Sequence, residues 1–163
     1  MIRWISVGSN IDPGQWIPRA MEELCSRYRV LDASPVLITS PIGRPEQAFF
    51  RNAVWTVDTE EPEGTLKGFL RRVEDLCRRV RDPRDSHAPR TLDLDLIGEG
   101  YRFFDEDEIR ERNFLRYCIL YLKPDLSSET LFAGTPSEAL WERDGFIEME
   151  IRKILERHRK ENR

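Results

Sequence analysis

The segment "PRTLDLDLIG", residues 89–98, places two carboxylates, Asp93 and Asp95, in a run of alternating leucines directly after Arg90. Side chains alternate in an extended chain, so the leucines face one way and both carboxylates face the other, about 6–7 Å apart. Asp is disfavoured in strands and the two like charges repel each other. We therefore expect a cation on the acidic face. An amphipathic edge strand with a solvated polar face is the alternative.

Arginines are concentrated just before these carboxylates, where seven lie between residues 71 and 90. Magnesium binds one or two carboxylates and leaves its other positions to water and phosphate, and the planar guanidinium group suits phosphate. Two carboxylates on one face could hold two ions that clamp the oxygens of a phosphoryl transfer. The alternative is a solvated helix face whose arginines form surface ion pairs with Glu74 and Asp75.

Composition limits the class of protein. The 163 residues fit one domain, residues 1–163, with 39% hydrophobic and 34% charged residues. The sequence contains neither an apolar stretch long enough for a membrane span nor a secretory signal pattern, so we expect a cytoplasmic protein with no membrane partner. The net charge of −4 argues against a nucleic-acid partner. Three scattered cysteines indicate buried free thiols.

The order of predicted elements is β-α-β-β-α-β. A strand at residues 2–9 precedes a helix that starts at Asp12-Pro13-Gly14, and two extended segments follow at residues 28–39 and 49–59. A second helix opens near Glu63 with an apolar stripe that reaches Val80, a polar loop covers residues 81–89, and the Asp93–Asp95 strand comes last. This order predicts an α+β, ferredoxin-like sandwich with two helices on one side of an antiparallel sheet.

The C-terminal third has weaker patterns. "LRYCILYL", residues 115–122, is compatible with a strand or a buried helix, and residues 136–160 predict two further helices separated near Gly145. We therefore expect additional C-terminal helices beside the sandwich.

Four motifs in register resemble the 6-hydroxymethyl-7,8-dihydropterin pyrophosphokinase family of folate biosynthesis. They are "GSN" after the first strand, "SPVLITSPIG" with "QAFFRNAV", "VEDLCRRVR", and above all "PRTLDLDLI". The similarity covers residues 1 to about 97. It implies a monomeric ferredoxin-like enzyme that moves pyrophosphate from ATP to the hydroxymethyl group of a reduced pterin and releases AMP.

The resemblance implies two magnesium ions bridged to the ATP phosphates by Asp93 and Asp95, with Asp95 also favouring deprotonation of the attacking hydroxyl. Arginines would stabilise the negative charge that develops on the leaving group. The expected catalytic residues are Arg79, Arg81, Arg90, Asp93 and Asp95. The expected nucleotide contacts are Glu74, Arg79, Arg81, Arg90, Ile97 and Arg112.

For the pterin, the resemblance implies a loop threonine with neighbouring backbone, an asparagine that reads the ring edge, and two stacking aromatics. The matching residues are Thr39, Ser40, Ile42, Phe50, Asn52, Asp93 and Phe114. Either aromatic could instead belong to the core. Asn52 lies beside apolar residues in a predicted strand, and an unsatisfied amide there would cost about 1–3 kcal/mol, so it requires a partner.

The sequence departs from the family pattern after the metal-binding strand. The segment "GEGYRFFDEDEIRERNF" is shorter than usual and carries acidic residues 105–108 where the family has a histidine, while His87 lies where many relatives carry tryptophan. An acidic stretch repels nucleotide unless it is turned away. Two alternatives therefore remain open beside the active enzyme: a divergent member with weak or altered activity, and a ferredoxin-like interaction or RNA-binding module.

Overall fold

A computed structural model describes residues 1–137 and 140–163. Six strands and five α-helices alternate along these residues. The strands are β1 (Ile2–Ser9), β2 (Arg29–Ala33), β3 (Leu37–Thr39), β4 (Phe50–Asp58), β5 (Asp93–Glu99) and β6 (Arg102–Phe103). The helices are α1 (Pro13–Arg27), α2 (Glu63–Leu76), α3 (Glu106–Glu111), α4 (Asn113–Leu122) and α5 (Gly145–Glu161), with two 3₁₀ turns at Pro124–Ser128 and Thr130–Phe132.

All the strands belong to one antiparallel sheet, which confirms the predicted α+β class. Its order is β2-β4-β1-β5-β6, and β3 also pairs with β4. The strands β1, β2, β4 and β5 with helices α1 and α2 follow the predicted β-α-β-β-α-β order. β1 therefore lies at the centre, with β4 on one side and β5 on the other.

Two hydrophobic clusters cover the two faces of the sheet. One unites the inner sides of α1, α2 and α5 with sheet residues such as Val7 and Leu94. The other packs α3 and α4 against Trp4, Val54 and Ile97 on the opposite face. The two helices of the predicted β-α-β-β-α-β unit, α1 and α2, therefore share one face as expected, and the additional C-terminal helices α3 and α4 lie on the other. The helical C-terminal segment buries part of the second face, and the uncovered part holds the polar residues of β5.

Two predicted boundaries differ from the structure. The extended segment 28–39 divides into β2 and β3 around Pro35, which lacks a backbone N–H for strand pairing. α2 ends at Leu76 rather than near Val80, because Arg78 adopts a left-handed conformation with φ of 61° and leaves Val80 exposed.

Only one of the two helices predicted in residues 136–160 is present in the described residues. Residues 140–144 are not helical, and α5 starts at Gly145, where Asp144 caps it by accepting from the Ile147 N–H. Residues 138 and 139 of the predicted first helix lie outside the described residues. The sequence left a strand or a buried helix open for residues 115–122, and the structure shows that they belong to helix α4.

Two predictions from composition can be compared with the structure. The three cysteines are buried and unpaired, as expected. Within residues 1–137 and 140–163, none of the helices combines the length and the hydropathy that crossing a bilayer requires.

Candidate active site

The register of the sheet places both β5 carboxylates next to small residues of β1. Asp93 pairs with Gly8 and Asp95 with Ser6. On the other side of β1, Gly8 pairs with Asn52 of β4. Cross-strand partners share a face of the sheet, so Asn52, Gly8 and Asp93 form a row, and the small β1 residues leave room above it. The intervening Leu92, Leu94 and Leu96 are buried in the first cluster, as predicted.

Arginines from the preceding loop hold Asp93. Arg79 Nη1 lies 3.3 Å from Asp93 Oδ1, and Arg90 Nη1 lies 3.2 Å from Asp93 Oδ2. Each carboxylate oxygen can accept more than one hydrogen bond, so both oxygens keep capacity for a further partner. The protein's own arginines therefore supply part of the positive charge that was expected opposite Asp93.

Glu74 joins α2 to β5 and to the arginines, and with Arg79, Arg81, Arg90 and Asp93 it forms what we call the Glu74 network. Its side chain is only 5% exposed. It accepts from Arg81 Nη2 at 2.6 Å, from Arg79 Nη1 at 3.4 Å and from the Leu94 N–H at 3.1 Å. A buried carboxylate with three donors is electrostatically satisfied.

Asp95 has different surroundings. Its side chain makes no hydrogen bond or ion pair with the part of the chain that the structure describes, and it is exposed to water in an open cleft. The protein atoms that line the cleft nevertheless crowd it. This burial raises the pKa of Asp95 to about 6, and the negative charges of Asp93, Glu74 and Glu108 act in the same direction, while Arg79 opposes them.

Two cavities meet at Asp95. The first, here called the charged cavity, has a volume of about 430 Å³ and lies between α2, β5 and α3. The second, the aromatic cavity, has a volume of about 330 Å³ and lies over the ends of β1 and β4. Asp95, Glu108 and Leu115 line both cavities, and we call this trio the junction.

The loop between α2 and β5 is tied to the end of β1. The Asn10 side chain accepts from the Arg90 N–H at 2.8 Å, and the Asn10 N–H donates to the Arg90 carbonyl at 3.0 Å. The Arg90 guanidinium group also donates to the carbonyls of Ser86 and Ala88, and it lies 6.0 Å from the centre of the Phe50 ring. The "GSN" motif thus fixes the arginine beside the aromatic cavity.

The described residues fit magnesium better than a metal that needs a full set of protein ligands. No group of three or more His, Cys, Asp or Glu side chains is arranged for a metal ion within residues 1–137 and 140–163. Asp95 is unpartnered there and Asp93 has spare acceptor capacity, so the site offers two oxygen donors and an open side. Magnesium uses such a donor set when it arrives on phosphates.

Comparison with known proteins then decides the family. Residues 4–124 match the family model described as 7,8-dihydro-6-hydroxymethylpterin-pyrophosphokinase (HPPK). The chain belongs to the HPPK family. This confirms the resemblance carried by "PRTLDLDLI", and the match extends beyond the first 97 residues to include the acidic segment and α4.

Three proteins named 2-amino-4-hydroxy-6-hydroxymethyldihydropteridine pyrophosphokinase are similar to this HPPK-family chain. The protein of Pseudomonas aeruginosa is 32% identical over 76% of this chain and 81% of its own length. That of Methylorubrum extorquens is 34% identical over 76% and 83% of the two chains. That of Campylobacter jejuni is 37% identical over 57% and 60%.

The residues expected to bind pterin in an HPPK-family chain come together around the aromatic cavity. Its lining includes every one of them: Thr39, Ser40, Ile42, Phe50, Asn52, Asp93 and Phe114. Asn52 Nδ2 donates to Thr39 Oγ1 at 2.7 Å, which supplies the partner that this amide required. Phe50 and Phe114 are both partly exposed there rather than fully buried in the core.

The expected nucleotide contacts are more dispersed. Glu74, Arg81 and Ile97 line the charged cavity, whereas Arg90 and Arg112 line the aromatic cavity. Arg79 lines neither cavity, because its guanidinium group is held below the site by Glu74, Asp93 and the Leu92 carbonyl, the last at 2.7 Å.

Sequence reasoning missed several residues at the site. Gly8 is one, since a Cβ there would lie 3.0 Å from Asn52 Oδ1, and the glycine in "GSN" was the available signal. His87 and Ser86 line the aromatic cavity, while Lys67 and Arg71 line the charged cavity. Glu108 of the acidic segment points into the site rather than away from it.

Proposed function

We propose that this chain transfers pyrophosphate from ATP to the hydroxymethyl group of 6-hydroxymethyl-7,8-dihydropterin and releases AMP, a step of folate biosynthesis. The observation that carries the proposal is the position of Asp95 at the meeting point of two cavities in an HPPK-family chain. The relatives from Pseudomonas aeruginosa and Methylorubrum extorquens are named for the same reaction class. The charged cavity would receive the nucleotide and the aromatic cavity the pterin ring.

In the proposed reaction, the pterin hydroxyl oxygen attacks the β-phosphorus of ATP. The bond from that phosphorus to the oxygen bridging the α- and β-phosphates breaks, and AMP leaves with the bond's electron pair. Asp93 and Asp95 would hold magnesium on the triphosphate, two ions in our proposal, and the bound metal would supply neutralisation of phosphate charge. Asp95 would also favour deprotonation of the attacking hydroxyl, and its position on the border of both cavities supports this role.

Arginines would act on the same phosphates. Arg90, fixed by Asn10 and the loop carbonyls, and Arg81, anchored on Glu74, present cations to the two sides of the junction. Such preorganised charges stabilise the transition state without reorganising during the reaction. Asn52 and Thr39 would read the edge of the pterin, and Phe50 and Phe114 would enclose its faces. We also propose a cytoplasmic monomer formed as a single domain, residues 1–163.

The test is AMP release from ATP, magnesium and the reduced pterin. The wild-type protein is expected to release AMP, and Asp95→Ala to reduce the rate by about a thousandfold with the fold retained, because the Asp95 side chain forms no hydrogen bond or ion pair with the described residues. Asp107→Ala on α3 is the matched control, since this aspartate is exposed and lines neither cavity. It is expected to retain the wild-type rate.

A second candidate is a family member that binds pterin or nucleotide with weak or altered activity. The Glu108 carboxylate at the junction favours it. Wild-type AMP release no higher than that of Asp95→Ala would contradict the active enzyme. Calorimetry with pterin and a nonhydrolysable ATP analogue would then detect binding, and binding of neither ligand would contradict both candidates. The RNA-binding alternative receives no support from the family match over residues 4–124.

A further inference from the structure

Glu108 lies where the two cavities meet, on the segment that departs from the family pattern. With Asp95 and Leu115 it lines both cavities. Its side chain is 34% exposed, and its carboxylate forms an ion pair with Arg112 Nη1 at 3.1 Å. A triphosphate that reaches from the charged cavity to the junction therefore approaches this carboxylate as well as Asp95.

The position of Glu108 is fixed by its helix. Asp105 caps α3 by accepting from the Glu108 N–H at 3.0 Å. The next residue, Ile109, is 2% exposed and packs in the second hydrophobic cluster. Turning Glu108 away from the junction by rotating α3 would break the cap and expose Ile109. The backbone of Glu108 is consequently held beside the junction, and the ion pair with Arg112 keeps its carboxylate there.

The repulsion that Glu108 exerts depends on the charge of the nucleotide. A metal-free triphosphate carries roughly four negative charges, and one bound magnesium ion removes about half of that charge. Arg112 offsets part of the Glu108 charge but is itself 40% exposed and screened by water. The carboxylate thus penalises the metal-free nucleotide more than the metal-loaded one.

On the basis of the proposed function, we propose that Glu108 is a specificity-determining residue that selects the magnesium-loaded triphosphate over the metal-free form. Removing its charge relieves the repulsion and also frees Arg112 for phosphate. Both effects of removing the Glu108 charge scale with the negative charge of the nucleotide, so the metal-free form gains more than the magnesium-loaded form. Any gain common to both forms cancels in the ratio of their affinities.

The experiment measures calorimetric binding of a nonhydrolysable ATP analogue to the full chain, once with magnesium and once with a chelator. Glu108→Gln is expected to tighten metal-free binding about tenfold and magnesium-loaded binding about threefold, because the repulsion scales with ligand charge. Glu111→Gln is the matched control. It removes the same charge from the same helix, is exposed, and has no ion pair among the described residues. It is expected to change either affinity less than about twofold.

The outcomes separate this inference from the proposed function. If Glu108→Gln changes both affinities by the same factor, or no more than Glu111→Gln does, the selectivity role is wrong. If the wild-type chain fails to bind the magnesium-loaded analogue, the proposed function is wrong whatever the variants do. Melting curves check folding, and Glu108→Ser replaces the glutamine variant, with the same expected ratio, should the latter unfold.

Discussion

The Glu74 network and the junction both place carboxylates beside β5, but within residues 1–137 and 140–163 only those of the network accept from two or more hydrogen-bond donors. Glu74 is buried and accepts from two arginines and a backbone N–H. The Asp95 side chain has no partner among the described residues, and desolvation in the cleft, together with the nearby acidic charges, raises its pKa to about 6. The first group is neutralised by the fold and the second lacks a cation.

This contrast indicates that carboxylates in the two groups have different roles. The Glu74 network holds α2, the loop arginines and β5 together, and it fixes Asp93 from below. The junction keeps unfavourable charge at a point where two cavities open. Folding does not relieve the repulsion between Asp95 and the neighbouring carboxylates, so a bound cation can relieve it. Glu74 therefore contributes mainly to stability, whereas Asp95 contributes mainly to binding.

The largest expected effect on stability comes from Glu74→Ala. It leaves Arg79 and Arg81 without their buried carboxylate, and denaturant unfolding should show a loss of about 3 kcal/mol in the free energy of unfolding. Glu63→Ala, which removes only a surface pair with Lys67, is the control and should show no measurable change. If Glu74→Ala were as stable as the wild type, the Glu74 network would not be stabilising, and the contrast with the junction would be wrong.

A smaller effect is expected from Asn52→Ala in the aromatic cavity. Asn52 uses one N–H to bond Thr39 and keeps its other polar positions for a ligand, so pterin affinity should fall about tenfold by calorimetry. Ser40→Ala, at an exposed position of the same cavity, is expected to cost less. Unchanged pterin affinity in Asn52→Ala would show that the ring edge is read elsewhere.

The smallest expected effect is a pH dependence of stability from Asp95. Its pKa of about 6 in the folded chain lies above the ordinary value of 3.8, so the folded state binds the proton more tightly. Stability relative to Asp95→Asn is therefore highest below pH 3.8 and is lost as the pH rises to about 6. Melting temperatures of both proteins from pH 4 to 7 measure this difference, and a difference that stays constant over that range would contradict the assigned surroundings of Asp95.

Local patterns predicted the parts of the site that depend on a single strand or motif. The alternation around Asp93 and Asp95 predicted their common face, and the family motifs predicted the residues that meet in the aromatic cavity. The common face of the two carboxylates could be predicted because strand periodicity fixes side-chain direction without information about distant segments.

Other features depended on contacts between distant segments. The left-handed turn at Arg78 ends α2 early and carries Arg79 beneath the site, which helical periodicity could not indicate. The position of Glu108 depends on how Ile109 packs against the sheet. Packing of α3 and α4 on the second face likewise combines residues far apart in sequence, so the sequence did not indicate which face the additional C-terminal helices cover.

The central claim is that Asp93 and Asp95 together bind the divalent ions that carry the triphosphate. A crystal structure of the chain with magnesium and a nonhydrolysable ATP analogue tests it most directly. We expect an oxygen of each carboxylate about 2.0–2.1 Å from a magnesium ion that also contacts phosphate. Magnesium held only by phosphate and water, with Asp93 still bound by Arg79 and Arg90 and Asp95 bound to no ion, would contradict the account.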